Sequence, residues 1–88
     1  MTPEQLEVKI NEIQKDAPTK KRHGHVSSII LVDLEKLTDN QLFALLAWEL
    51  WKDGADDWAW IESIVQGKDM QFKTRSDCIS YLKTVFGY

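Results

Sequence analysis

Residues 38–52 have the sequence TDNQLFALLAWELWK and form the clearest helix signal in the chain. Thr38 and Gln41 match a capping box, in which a Thr and a Gln three residues later bond each other's backbone N–H groups. From Leu42 to Trp51 the predicted helix is apolar on nearly every side. A helix of this kind is buried on most sides or packs against a partner. Gly54 suits the left-handed position just after the helix end.

Three further helices are predicted, over residues 2–15, 57–66 and 75–86. Each begins near a Thr or an Asp that can cap it, and each carries an apolar stripe with helical spacing. We expect these stripes to supply the core residues of the three helices: Leu6, Ile10, Ile13, Ala17, Trp58, Ile61, Val65, Cys78, Leu82 and Val85.

Two segments have the pattern of β-strands. Residues 26–34 contain the apolar run Ile29–Val32, which is rich in β-branched residues, and residues 69–73 alternate between polar and apolar side chains. Pairing of 69–73 with 27–33 would give a two-stranded sheet, which needs helices packed on it because an isolated strand pair is weak. We therefore expect a small α+β domain with three or four helices on a short sheet. The alternative is an all-α bundle, with 27–34 helical or an extended arm.

Composition and motifs favour a single domain without catalytic activity. The chain has 88 residues, a net charge of −3 and one cysteine. It lacks a glycine-rich phosphate loop and paired cysteines, so we expect no enzyme activity, no cofactor and no metal. We interpret Cys78 as a small buried side chain rather than a nucleophile, although a helix start favours a thiolate. The polar N-terminal sequence and the lack of an apolar run of about 18 residues predict a cytoplasmic protein without a membrane span.

Residues 18–25, with the sequence PTKKRHGH, form the only concentrated basic segment. We expect this segment to be a mobile loop, because Pro and Gly interrupt it and it has no side chains that suit a core. Its functional interpretation is a phosphate-binding loop for nucleic acid. The two histidines are too few for a metal site, which needs three or four ligands. The candidate nucleic-acid contacts are Lys20, Lys21, Arg22, His23 and His25.

The segment 49–62 combines acidic side chains with tryptophans. Five acids against Lys52 give it a net charge of −4. The tryptophans are either core, with the acids as caps and solvated edges, or binding residues inside an acidic rim. We favour the core for Trp48 and Trp58 and leave Trp51 and Trp60 open. The candidate protein-binding residues are Trp48, Trp51, Trp60, Asp53, Asp56 and Asp57.

The leading functional hypothesis is a non-enzymatic protein-binding module that binds a basic partner through these residues. A small acidic protein of this kind suits an inhibitor or adaptor of a larger macromolecular machine, a class common in phages and mobile elements. Two alternatives remain open: a nucleic-acid-binding protein that uses residues 20–25, and a structural subunit that forms homodimers or larger homo-oligomers. The acidic net charge makes nucleic acid the less favoured partner.

Overall fold

Four α-helices make up most of the chain in the computed structural model, which describes residues 1–16, 19–21 and 30–86. Their bounds agree within one residue at each end with the four helices that the sequence predicts, so those predictions are confirmed. The helices are α1 (Pro3–Asp16), α2 (Asp39–Lys52), α3 (Trp58–Val65) and α4 (Arg75–Phe86).

Helix α2 is the centre of the fold and packs against each of the other three helices. Its six consecutive residues from Leu42 to Ala47 are all buried, so the helix is enclosed on every side over more than one turn. The residues that enclose it come from the apolar stripes of α1, α3 and α4, from the segment just before α2 and from the connection between α3 and α4. They are Leu6, Ile10, Ile13, Leu34, Leu37, Ile61, Ile64, Phe72, Cys78 and Leu82.

The expected α+β architecture is wrong, because the described helices pack on one another and not on a sheet. The fold is the all-α bundle that we considered as the alternative. A minimal antiparallel ladder joins β1 (Thr19–Lys21) to β2 (Ile30–Val32), with Lys20 opposite Leu31. The ladder is only three residues long on each side, so it forms no layer beneath the helices. Residues 26–29 of the predicted strand lie outside the described residues.

The strand predicted at 69–73 is also wrong. Asp69 Oδ2 accepts hydrogen bonds from the backbone N–H groups of Gln71 at 3.0 Å and Phe72 at 3.2 Å. An Asp side chain that bonds the following backbone offers the chain a local alternative to strand pairing. The segment is therefore a turn between α3 and α4.

Local hydrogen bonds begin the helices where the sequence predicts. Thr38 Oγ1 accepts from Gln41 N at 3.2 Å, and Gln41 Oε1 accepts from Thr38 N at 2.9 Å, which completes the capping box. Thr2 and Gln5 form the same pair of bonds at the start of α1. These bonds satisfy backbone donors that a helix start leaves without a partner.

Ion pairs at the surface connect α4 to the start of α2 and to the 3-10 turn Leu34–Lys36. Arg75 Nη1 donates to Asp39 Oδ1 at 2.7 Å, and Lys83 Nζ donates to Glu35 Oε1 at 3.1 Å. These side chains are largely exposed, so the pairs orient α4 more than they stabilise it. Val85 is 40% exposed, contrary to the stripe prediction, because the buried face of α4 ends at Leu82.

Gly67 combines a left-handed backbone with a close neighbour. Its φ is 70°, and a Cβ placed there would lie 2.7 Å from Cε2 of Phe43. We predict that Gly67→Ala lowers the free energy of unfolding by about 2–4 kcal/mol, through backbone strain and overpacking. Urea unfolding measures this loss. In a Phe43→Leu background, Gly67→Ala should lower the free energy of unfolding by less, because only the backbone strain remains. An equal loss in both backgrounds would contradict a clash with the Phe43 ring.

Candidate functional site

The four tryptophans are all half-buried, and each packs against the edge of the core. Trp48 and Trp51 lie on the last turns of α2, and Trp58 and Trp60 lie on the first turn of α3. The sequence interpretation expected Trp48 and Trp58 to be more buried than Trp51 and Trp60. Burial does not distinguish the two pairs, so this expectation is wrong. The hydrogen bonds of the indoles separate them instead.

The two indoles of α3 use their N–H groups inside the fold. Trp58 Nε1 donates to the backbone oxygen of Met1 at 2.9 Å. Trp60 Nε1 donates to Asp69 Oδ1 at 2.8 Å. Both rings are thus fixed by a polar bond at one edge, in addition to their apolar contacts.

The indole N–H groups of Trp48 and Trp51 have no hydrogen-bond partner among the described residues. The ring of Trp51 meets that of Trp58 edge to face, with centroids 4.9 Å apart and planes at 73°. Trp51 is therefore held in place by a neighbouring ring, while its indole N–H makes no hydrogen bond within the described part.

Three exposed carboxylates lie between these two rings along the chain, on Asp53, Asp56 and Asp57. Together with Trp51 and Trp58 they form what we call the α2–α3 corner. Asp57 Oδ1 accepts from Trp60 N at 3.3 Å and so caps α3. In the described part of the chain, none of the three carboxylates has an ion-pair partner.

The nearby charge pair on α2 leaves the negative charge of the corner intact. Lys52 Nζ lies 3.1 Å from Glu49 Oε1, so Lys52 forms an ion pair with the glutamate one turn earlier and not with a carboxylate of the corner. The corner thus presents three negative charges beside a partly exposed indole.

Asp69 connects α3 to the turn that follows it. Its two oxygens accept from Trp60 Nε1 and from the N–H groups of Gln71 and Phe72. Phe72 is buried and meets Tyr81 of α4 edge to face at 5.5 Å. Sequence reasoning missed Asp69, because an Asp before an alternating segment gives no signal for a tertiary bond to an indole.

Cys78 is fully buried on α4, and its Sγ lies 3.8 Å from the backbone oxygen of Phe72. Burial raises the pKa of the thiol from 9.0 to about 11, and the carboxylates of Asp77 and Asp39 act in the same direction, opposed by Arg75. The helix start does not offset this desolvation. The thiol is therefore neutral at neutral pH, which confirms the interpretation of Cys78 as a small packing side chain.

The basic segment lies mostly outside the described residues. The backbone of Lys20 and Lys21 belongs to β1, whereas Arg22, His23 and His25 fall in the part that the structure does not describe. The nucleic-acid interpretation therefore stays a prediction from the sequence.

The described residues form neither a metal site nor a deep pocket at the corner. Within residues 1–16, 19–21 and 30–86, no three His, Cys, Asp or Glu side chains are placed to hold a metal. A shallow depression of about 280 Å³ is lined by Lys9, Glu12, Ile13 and Gln41, and none of these residues belongs to the α2–α3 corner. None of the described helices is long and apolar enough to cross a lipid bilayer.

Removal of the Asp69 carboxylate should destabilise the protein. Asp69→Ala leaves the indole N–H of Trp60 and two backbone N–H groups without their acceptor, so we predict a loss of about 1.5–3 kcal/mol in urea unfolding. Met70→Ala is the matched control at the next position, where the side chain is 84% exposed, and should change stability by less than about 0.5 kcal/mol. Equal effects of the two substitutions would show that the Asp69 bonds do not stabilise the turn.

The pKa of Cys78 predicts a pH dependence of stability. Between pH 9 and pH 11 the thiol ionises in the unfolded chain before it ionises in the folded protein, so the free energy of unfolding falls as pH rises. The measurement is the difference in unfolding free energy between the wild type and Cys78→Ala, because the two proteins share every other ionisable group. The stability advantage of the wild type should shrink across this range, and a constant difference would contradict the raised pKa.

Comparison of the chain with protein-family models, with curated proteins and with solved structures found no match. The arrangement of the chain's own residues is therefore the basis for assigning a function.

Proposed function

We propose that this chain is a non-enzymatic protein-binding module that binds a basic protein segment at the α2–α3 corner. The observation that carries the proposal is a half-buried Trp51, whose indole N–H bonds none of the described residues, close in the chain to three exposed carboxylates that lack a cation among the described residues.

Trp51 has the properties of an interface anchor. Tryptophan is enriched among the residues that dominate binding energy, because its ring is large, stiff and able to donate a hydrogen bond. The edge-to-face contact with Trp58 already orders the ring in the free protein. Binding therefore needs little further ordering of this side chain, which favours affinity.

The carboxylates determine the kind of partner. Asp53 and Asp56 are exposed and make no described side-chain hydrogen bond or ion pair, so they can attract Lys or Arg side chains without losing an internal contact. Charges of this kind at the rim of an interface raise the association rate and reject partners of the same sign. The corner should repel phosphate groups, so a basic polypeptide fits it better than a nucleic acid does.

The role of inhibitor or adaptor follows from size and charge. A module of 88 residues with an anchor and an acidic rim can cover a basic surface on a much larger protein. Where that basic surface normally holds phosphates, the module acts as an inhibitor. Where it is a docking segment, the module acts as an adaptor.

The experiment is a selection of binding peptides from a displayed random library, with the wild-type chain as target and Trp51→Ala as the counter-target. We predict that the enriched peptides are rich in Lys and Arg, and that Trp51→Ala weakens their binding by about 30-fold or more, as for a tryptophan hot spot. The double variant Asp53→Asn with Asp56→Asn should also weaken binding, and its affinity should depend less on salt concentration than that of the wild type.

Two controls keep this test decisive. Trp51→Phe retains a ring against Trp58 and should lose less affinity than Trp51→Ala, which separates a lost anchor from a damaged fold. Val8→Ala changes an exposed apolar side chain of α1 that is not part of the corner, and should leave binding unchanged. Enriched peptides without basic residues, or peptides that bind Trp51→Ala as well as the wild type, would refute the proposal.

A further inference from the structure

Met70 is the most exposed large apolar side chain in the described part of the protein, at 84%. It lies in the turn of residues 68–73 between α3 and α4, which we call the Met70 loop. Methionine adapts its shape to a partner and makes favourable contacts between its sulfur and aromatic rings. An exposed methionine at the end of a turn is thus suited to contact another molecule.

The Met70 loop is held firmly on both sides of Met70. Asp69 before it accepts three hydrogen bonds, from Trp60 Nε1, Gln71 N and Phe72 N. Phe72 after it is buried in the core. The exposure of Met70 is therefore imposed by an ordered backbone, and such order lowers the entropic cost of binding.

The exposed charges of the Met70 loop are opposite to those of the α2–α3 corner, because the one carboxylate of the loop, Asp69, is half-buried and hydrogen-bonded. Lys68 and Lys73 flank Met70, are exposed, and make no ion pair with the described residues. The corner precedes α3 and the loop follows it. The eight residues of α3, which rise about 12 Å, separate the two charged segments along the chain.

We propose that the chain self-associates, with the Met70 loop of one copy bound at the α2–α3 corner of a second copy. Met70 contacts the exposed part of Trp51, while Lys68 and Lys73 face Asp53 and Asp56. The inference rests on the proposed function, because it names a second copy as one basic occupant of the same corner. A second copy therefore competes with any foreign basic partner.

The charge pattern allows a test by exchange of signs. One variant, Asp53→Lys with Asp56→Lys, has a basic corner and a basic loop. The other variant, Lys68→Glu with Lys73→Glu, has an acidic corner and an acidic loop. No described side-chain bond is lost in either variant, and far-ultraviolet circular dichroism with urea unfolding checks that both fold.

Sedimentation equilibrium up to about 1 mM protein measures the association, which should be weak because the contact is small. The wild type should show a rise in average mass with concentration, lost in 1 M NaCl. Each sign-changed variant alone should stay monomeric, because like charges meet. An equal mixture of the two should associate at least as strongly as the wild type, because every corner then meets a loop of opposite sign.

Met70→Ala should weaken self-association by about tenfold and leave the binding of selected basic peptides unchanged. A monomeric wild type at 1 mM, association of either variant alone, or a mixture that stays monomeric would each overturn the self-association. If basic peptides still bind through Trp51 in that case, the proposed function stands without it. If self-association holds while no basic peptide depends on Trp51, the corner serves the second copy and the proposed function is wrong.

Discussion

The enclosure of α2 is the constraint on which the other parts of the structure depend. Six consecutive buried residues, from Leu42 to Ala47, require apolar neighbours on every side of the helix. Burial of each large apolar side chain among them stabilises the folded state by about 1.5–3 kcal/mol. The apolar stripes of α1, α3 and α4 therefore all pack against this one helix. The enclosed part of α2 therefore has no face left on which a sheet could pack. The last turns of α2 extend past the enclosed part, and this geometry leaves Trp48 and Trp51 half-buried.

The helices were predictable because their signals are local. The capping box at Thr38 and the stripe with Leu6 and Ile10 need only neighbours three or four residues away. The sheet was not predictable in the same way. Alternation at 69–73 placed Met70 and Phe72 on one face of a strand, whereas the turn that Asp69 stabilises separates them into an exposed and a buried side chain. A short alternating segment cannot reveal which of two competing hydrogen-bond patterns the backbone adopts.

The candidate site was predictable as a region but not as a set of roles. The sequence places tryptophans and acids together at the end of α2 and the start of α3. It cannot show that Asp69 takes the indole N–H of Trp60, because that bond depends on how the turn after α3 folds back. The same bond explains why Trp60 and Trp51, which the sequence could not distinguish, differ in what they offer a partner. It also explains how Met70, which no motif indicated, becomes the most exposed large apolar residue of the described part.

Helix α3 connects the α2–α3 corner to the Met70 loop. Two side chains of its first turn bind it to both, because Trp58 packs on Trp51 of the corner and Trp60 bonds Asp69 of the loop. Any ligand that binds only the monomer shifts the self-association equilibrium by mass action. If both proposals hold, a basic partner at the corner would dissociate the copies and expose their Met70 loops. The fraction of protein ready to bind a partner would then fall as the concentration of the protein itself rises.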